Sequence, residues 1–361
     1  MAENGLLEVP RGLDKVVVDT TSIAATDKDG WLIYRGYKAT ELAAKLHFEK
    51  AAYLVVYGSI PNDAKLKRFS SFLESNSSID GATDEVIGLL PRDAKVIDGV
   101  RSVVSMLPLR QKKPDMQMLE MAAKMPRIIS NCYRAKRSLK PLGCIEGNYA
   151  ERFYYLLTGK EDVESARYFE RLLILYMEHE FNASTFALRV TASTLADPQA
   201  AFTTALATIK GPLHGGANAE ILNYMLKMKR KSEAVELVDR KLGNKEKIMG
   251  FGHRIYKTMD PRAQFIKGQL RTLSKSRKMG KLLEMAEAVE KEMWVKKGLP
   301  ANLDFYAAIY MYLLGIDEAF YTPIFAAARS FGWAAHYMEQ VANNKLIRPD
   351  SRYTGRTGLK L

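Results

Sequence analysis

At 361 residues, 47% of them hydrophobic and 26% charged, the chain has the composition of a globular protein large enough for two domains, or one domain carrying an insertion. No apolar run reaches the roughly 18–20 residues that a membrane-spanning helix needs, and the N-terminal MAENGLLEVPRGLDK lacks the charged-then-apolar pattern of an export signal, so a cytoplasmic protein without membrane attachment is expected. The net charge of +13 would suit nucleic acid or small polyanions, but Lys and Arg are spread along the chain and no nucleic-acid-binding motif accompanies them.

In chain order, Lys15–Asp19 (KVVVD) and Gly30–Tyr34 (GWLIY) are expected to form a small N-terminal sheet around the turn-rich segment 27–30. Cys132 and Cys144 lack metal-ligand or redox spacing and are expected as small buried apolar residues, with no disulfide and no bound metal. Between Asp162 and Glu180, apolar Ala166, Phe169, Leu172, Leu173 and Tyr176 repeat at the spacing of one buried helix face. Asp197-Pro198 reads as a cap followed by proline at the first helical position, with Phe202, Leu206 and Ile209 on the inner face. Gly211-Pro212 and Gly215-Gly216 then break the chain, and a hinge is expected there. Leu283–Trp294 and Ala307–Leu314 are two further helices, the second apolar enough to be buried nearly all round. With no βαβ alternation, the fold class is all-α.

The chain has five histidines, and two of them sit in glycine-rich segments: His214 in GPLHGGAN and His253 in GFGHR. Histidine exchanges protons near neutral pH, and glycines let backbone and ligand approach closely. Asp304 follows in Asn302-Leu-Asp304-Phe-Tyr306, a carboxylate among apolar residues that serves either as a helix cap or as a functional acid. His179 lies in EHEFNAS, where Ala183 breaks the HExxH zinc pattern. Arg254, Lys257 and Arg262 follow His253 closely, and Arg329, Arg348 and Arg352 lie near the C-terminus; arginines suit carboxylates through paired hydrogen bonds. Taken alone, His214, His253 and Asp304 are equally well a structural turn, a solvated basic loop or a cap, and His179 reads as a hydrogen-bonded histidine at a helix end.

Taken in order, GPLHGGANAE, GFGHRIYKTMDPRA and NLDFYAAIYMYLLGI resemble the citrate synthase family. So do LIYRGY, AYLVVYG, EHEFNAST, GWAAHYMEQ, and LIRP with YTG, which extends the likeness over almost the whole chain. The resemblance implies an almost all-helical homodimer with a two-domain subunit. Residues 1–212 and 316–361 would form the large domain and 213–315 an inserted small domain that closes over the substrates.

The implied activity is acyl transfer: condensation of acetyl-CoA with oxaloacetate and hydrolysis of the thioester to citrate and CoA, a tricarboxylic acid cycle reaction. By the same resemblance Asp304 is the base, His214 the group on the thioester oxygen and His253 the group on the oxaloacetate carbonyl. His179, Arg262 and Arg329 match oxaloacetate-binding positions, and Arg348 matches an arginine supplied by the partner subunit. Lys257 and Lys297 fall where cations meet CoA phosphates. No tightly bound cofactor, metal or nucleic acid is implied, and no NADH site, because the chain lacks the β-rich N-terminal extension of the longer form. Ala307-Ala308 replaces the more polar pair common after the aspartate, a departure that bears on packing beneath Asp304. The alternatives are a 2-methylcitrate synthase acting on propionyl-CoA, a reverse-running citrate or citryl-CoA lyase component, and a non-catalytic basic CoA- or nucleic-acid-binding protein.

Overall fold

The computed structural model describes residues 7–27, 29–215 and 219–360. Its small N-terminal sheet is an antiparallel meander of β1 (Ala24–Thr26), β2 (Leu32–Tyr34) and β3 (Tyr37–Lys38), with Ala24 opposite Tyr34 and Ile33 opposite Lys38. The Asp27 carboxylate closes the first turn by accepting the N–H groups of Asp29 (3.0 Å) and Trp31 (2.8 Å). Lys15–Asp19 is not the expected strand. Val17 is 84% exposed, so the β-branched run has no apolar face to cover it, and Asp19 is held instead by Arg189 at 3.0 Å. Ala24–Thr26 takes its place because the adjoining Ile23 and Ala24 are buried.

The chain continues through α1 (Ala39–Lys45), α2 (Phe48–Tyr57), α3 (Asp63–Ser75), α4 (Gly81–Leu89) and α5 (Val96–Ser105). Next come α6 (Pro114–Lys136), α7 (Tyr149–Thr158), α8 (Val163–Tyr176), α9 (Ala183–Ser193) and α10 (Pro198–Ile209). Caps set these boundaries. Asp162 accepts the N–H of Ser165 to start α8, and Asp197 accepts that of Ala200 to start α10, with Pro198 at its first position. Beyond the glycine-rich break lie α11 (Ala219–Lys227), α12 (Ser232–Gly243), α13 (Pro261–Ser276), α14 (Gly280–Lys297) and α15 (Leu303–Leu313), and α16 (Tyr321–Ala342) ends the helical part.

Helices α11 to α15 pack largely on one another: α12 on α14, α13 on α14 and α15, and α11 on both α14 and α15. α13 also touches α1 and α8, which carries this group against the rest of the molecule. α15 is buried on nearly every side, Tyr312 being its exposed exception. The basic stretch from Lys267 largely faces acids of its own chain: Lys267 pairs with Glu290, Arg271 with Glu287 and Arg277 with Asp162. Cys132 is buried, which pushes its thiol up to about 12, whereas Cys144 is exposed on the loop after α6 and accepts a hydrogen bond from Arg127. Burial was expected of both. Cys144 escapes it because its loop lies outside the packed helices. Among the described residues no helix is long and apolar enough to cross a membrane.

α16 is the central helix. It packs against α2, α6, α8, α9 and α10, and its small residues Ala326–Ala328, Gly332, Ala334 and Ala335 let those neighbours come close. Gly332 is the tightest point: a Cβ there would lie 2.1 Å from Glu178 Oε2 and 2.5 Å from the Met177 carbonyl oxygen. The carbonyl is backbone and cannot step aside. Gly332→Ala is therefore expected to destabilise the fold by about 2–3 kcal/mol, read as a lower urea midpoint in equilibrium unfolding. An unchanged midpoint would show that the α8–α16 contact is looser than described.

Candidate active site

The segment after α8 and the loop before α13 bring two imidazoles together. His179 is buried two residues past α8's cap, and its ring centroid lies 5.1 Å from that of His253. Tyr256 stacks on His253 at 4.7 Å and meets His179 edge-on at 5.7 Å. Two backbone N–H groups, of Ile255 (3.1 Å) and Tyr256 (3.4 Å), donate to Nδ1 of His253. That nitrogen is an acceptor, so in the neutral ring the proton sits on Nε2. Burial, reinforced by the positive charge of Arg262, lowers His253 to about 4. His179 is pushed well below its ordinary value by burial first and then by Arg262, His253 and Arg329. Both rings are neutral at physiological pH.

Two buried guanidinium groups flank them. Arg262, at the start of α13, gives Nε and Nη2 to the Asp260 carboxylate (3.0 and 2.8 Å). Burial works against the charge of Asp260, but Arg262 outweighs it and holds the carboxyl below its usual range. Arg329, 1% exposed in the middle of α16, gives Nε to the carbonyl of Tyr176 at 2.8 Å. Its Nη1 and the Nε2 of His179 are both buried without a hydrogen-bond partner in the protein. An unsatisfied guanidinium N–H beside an unpartnered imidazole nitrogen at a cationic centre fits a carboxylate ligand, which would satisfy both once His179 carries its proton on Nε2.

Asp304 approaches from α15. It is not the cap: Asn302 caps that helix by accepting the Asp304 N–H at 3.1 Å, and Asp304 sits at the second helical position. Its Oδ1 accepts the hydroxyl of Tyr176 at 3.2 Å. The ring of Tyr176 packs on Phe325 at 4.6 Å, and His214 meets Phe325 edge-on at 5.8 Å. His214 Nε2 accepts the backbone N–H of Ser184 (3.3 Å) at the start of α9 and lies 2.8 Å from its hydroxyl oxygen. The neutral ring thus carries its proton on Nδ1. Burial and then Arg329 lower His214 to about 4. Residues 216–218 of the same glycine-rich segment lie outside the described residues.

Backbone contacts lock the His253 loop to the start of α15. Gly252 N–H donates to the Pro300 carbonyl (2.8 Å), Asn302 N–H to the Gly250 carbonyl (2.9 Å), and Asn302 Nδ2 to the Gly252 carbonyl (3.0 Å). Gly250 has φ +89°, and a Cβ there would lie 2.9 Å from the Cβ of Phe305. Only glycine fits this approach, so the conformational freedom of the segment serves close packing. Asp260 adds a third fastening: its Oδ2 accepts the Leu303 N–H at 3.1 Å.

The structure therefore gathers His179, His253, Arg262, Arg329, Asp304 and His214 into one linked set. It does not bring Arg348 there: that residue is exposed on the extended C-terminal segment and pairs with Asp350 at 3.0 Å. Lys257 is exposed beside the site and donates to the His253 carbonyl (3.2 Å), and Lys297 is exposed at the end of α14. Ala307 and Ala308 are wholly buried beneath Asp304. Tyr176, Ser184, Asp260 and Phe325 belong to the site but were not singled out in the sequence. Asp260-Pro261 repeats the cap signature of Asp197-Pro198 and could have been found by it. Among the described residues no group of three or more His, Cys, Asp or Glu side chains could hold a metal ion.

Residues 12–350 match the family described as citrate synthase, C-terminal domain. The chain is 38% identical over 357 residues to the 2-methylcitrate synthase of Mycobacterium tuberculosis, covering 96% of this chain and 91% of the relative. It is 39% identical over 360 residues to the citrate/2-methylcitrate synthase of Bacillus subtilis, covering 95% and 96%. Its fold is similar to that of the Thermoplasma acidophilum citrate synthase, solved as a ternary complex with carboxymethyl coenzyme A and oxaloacetate. The TM-score is 0.90 at 32% identity, over 98% of each chain.

The three depressed imidazoles make stability pH-dependent. An unfolded histidine titrates near 6.5, and His214 and His253 titrate near 4 in the fold. Between those values the unfolded chain binds more protons, so lowering the pH through this window destabilises the protein. The slope contributed by each imidazole reaches at most about 1.4 kcal/mol per pH unit. Urea midpoints measured from pH 7 to pH 4 should fall more steeply in the wild type than in a His214→Gln/His253→Gln double variant. Equal slopes would contradict the neutral-imidazole description.

Proposed function

This chain belongs to the citrate synthase family and is an acyltransferase; from that premise we propose that it condenses acetyl-CoA with oxaloacetate and hydrolyses the product to citrate and CoA. The observation that carries the reading is the convergence of a carboxylate and two neutral imidazoles whose proton-bearing nitrogens are each set by backbone N–H groups. A neutral imidazole can donate a hydrogen bond to a developing oxyanion while leaving the base ionised.

In this reading Asp304 takes a methyl proton from acetyl-CoA, and the His214 Nδ1–H donates to the thioester oxygen as the enolate forms. The nucleophilic carbon attacks the ketone of oxaloacetate, and the His253 Nε2–H stabilises the new alkoxide. The oxaloacetate carboxylates are held by Arg329 Nη1, by His179 in the tautomer that carries its proton on Nε2, both of them buried atoms without a partner in the protein, and by Arg262, whose five N–H groups exceed what Asp260 takes. Water then cleaves the thioester to release CoA. No tightly bound cofactor takes part. Lys257 and Lys297 would meet the CoA phosphates.

We further propose that the chain works as a cytoplasmic homodimer, with Arg348 of a second copy completing the oxaloacetate site. Its exposure on an extended segment, away from its own site, supports this. Residues 213–315 would form the closing domain, between the large-domain parts 1–212 and 316–361. Closure would exclude water while the enolate forms, and reopening would let product leave. A second reading, the use of propionyl-CoA to make 2-methylcitrate, draws on the names of the Mycobacterium and Bacillus relatives.

The test is CoA release in the presence of oxaloacetate, with acetyl-CoA and propionyl-CoA compared by kcat/KM. A higher value for acetyl-CoA is expected, and a higher value for propionyl-CoA would select the second reading. In the same assay Asp304→Asn should lose about three orders of magnitude in kcat while its thermal melt stays intact. A loss below tenfold would remove Asp304 from the role of base.

A further inference from the structure

Tyr176 touches three parts of the site at once. It is the last residue of α8 and 1% exposed. Its hydroxyl donates to Asp304 Oδ1 at 3.2 Å, and its carbonyl, freed by the helix end, accepts Arg329 Nε at 2.8 Å. Its ring packs on Phe325 at 4.6 Å, the side chain that also faces His214 (5.8 Å) and the Arg329 guanidinium (4.7 Å). One residue thus meets the base, an oxaloacetate arginine and the support of the thioester-side histidine.

The hub is rigid for reasons visible around it. The Tyr34 hydroxyl lies between the carbonyls of Leu175 and Glu178 (3.2 and 3.1 Å) and shares its one proton with them. Glu178 is fully buried, and its Oε1 accepts the His179 N–H (2.8 Å) and pairs with His336 (3.0 Å). Glu180, two residues beyond, has φ +54°, a strained conformation for a non-glycine residue that persists only where surrounding contacts impose it. A phenol anchored this way cannot follow a drifting carboxylate, so the carboxylate must conform to it.

We propose that Tyr176 is the positioning residue of the proton-abstraction step, its hydroxyl fixing the rotation of the Asp304 carboxylate toward the acyl carbon. The proposal rests on the reading of Asp304 as the base. Tyr176 keeps its own proton throughout: burial, and then the charge of Asp304, raise it well above the ordinary phenol value, so it acts only as a donor. The proton leaving the methyl carbon goes to Asp304, and the Tyr176 hydrogen bond, strongest to the ionised carboxylate, weakens as that happens. The bond therefore trades some basicity for orientation. The charged or titratable groups around the pair include Arg262 from α13, Arg329 and Tyr321 from α16, and His214 across Phe325.

Tyr176→Phe keeps the ring and removes only the donor. Its kcat is expected to fall about ten- to a hundredfold, with the KM for oxaloacetate within about twofold and the thermal melt unchanged. Loss of a donor to the ionised carboxylate raises the pKa of the base, so the acid limb of kcat/KM for acetyl-CoA should move up by about one pH unit. Phe325→Leu, which keeps the hydroxyl, should leave that limb in place even if it lowers the rate. An unmoved limb in Tyr176→Phe, or an equal shift in both variants, overturns the proposal and leaves Tyr176 a packing residue. Asp304→Asn, assayed alongside, separates the two ideas. If Asp304→Asn is inactive and Tyr176→Phe behaves as wild type, only the positioning role fails; if Asp304→Asn is active, the base assignment itself fails.

Discussion

The site depends on one buried carboxylate. Asp260 is 1% exposed, and its two oxygens serve three ends at once: the N-terminus of α13, the guanidinium of Arg262 and the first N–H of α15. Removing a carboxylate from water is costly unless charge and hydrogen bonds compensate, and here both do. The result ties the helix that carries Arg262 to the helix that carries Asp304. With the bonds between Gly250–Gly252 and Pro300–Asn302, it sets the His253 loop and Asp304 in one frame. Without that fastening, two loops and two helix starts would each be free to shift by the ångström that catalysis does not tolerate.

Within that frame, electrostatics assigns protonation states. Three imidazoles lie near two guanidinium groups, and burial with that positive charge keeps all three neutral. The backbone then chooses the tautomer: Ser184 N–H occupies Nε2 of His214, while Ile255 and Tyr256 N–H groups occupy Nδ1 of His253. The opposite nitrogens are left as donors. The positive field therefore does two things, favouring an acidic ligand and preventing the rings from competing with it as cations.

Much of this was legible in the residues themselves. The helices between Asp162 and Tyr176 and after Asp197-Pro198 follow apolar spacing and cap chemistry, which are local. His214, His253 and Asp304 stood out because glycine or apolar surroundings made them unusual for their types. The missed participants did not. Tyr176 and Phe325 occupy ordinary inward-facing positions of amphipathic helices, and only tertiary contact between distant segments gives them a role. Lys15–Asp19 misled for a related reason: β-branched residues favour a strand only when a partner covers them, and here Val17 stays in water. The glycines of the His253 segment read as allowing a ligand close to the backbone, whereas at Gly250 the close neighbour is Phe305 of the same chain.

The central claim is that Asp304, His214 and His253 act on a single forming carbon–carbon bond. A crystal structure of the protein with oxaloacetate and the acetyl-CoA mimic carboxymethyl-CoA measures this directly. The account predicts an Asp304 oxygen and His214 Nδ1 on the carboxymethyl group, and His253 Nε2 on the oxaloacetate ketone, each within about 3 Å. A complex in which Asp304 faces away from that group, or His253 presents Nδ1 to the ketone, would contradict it.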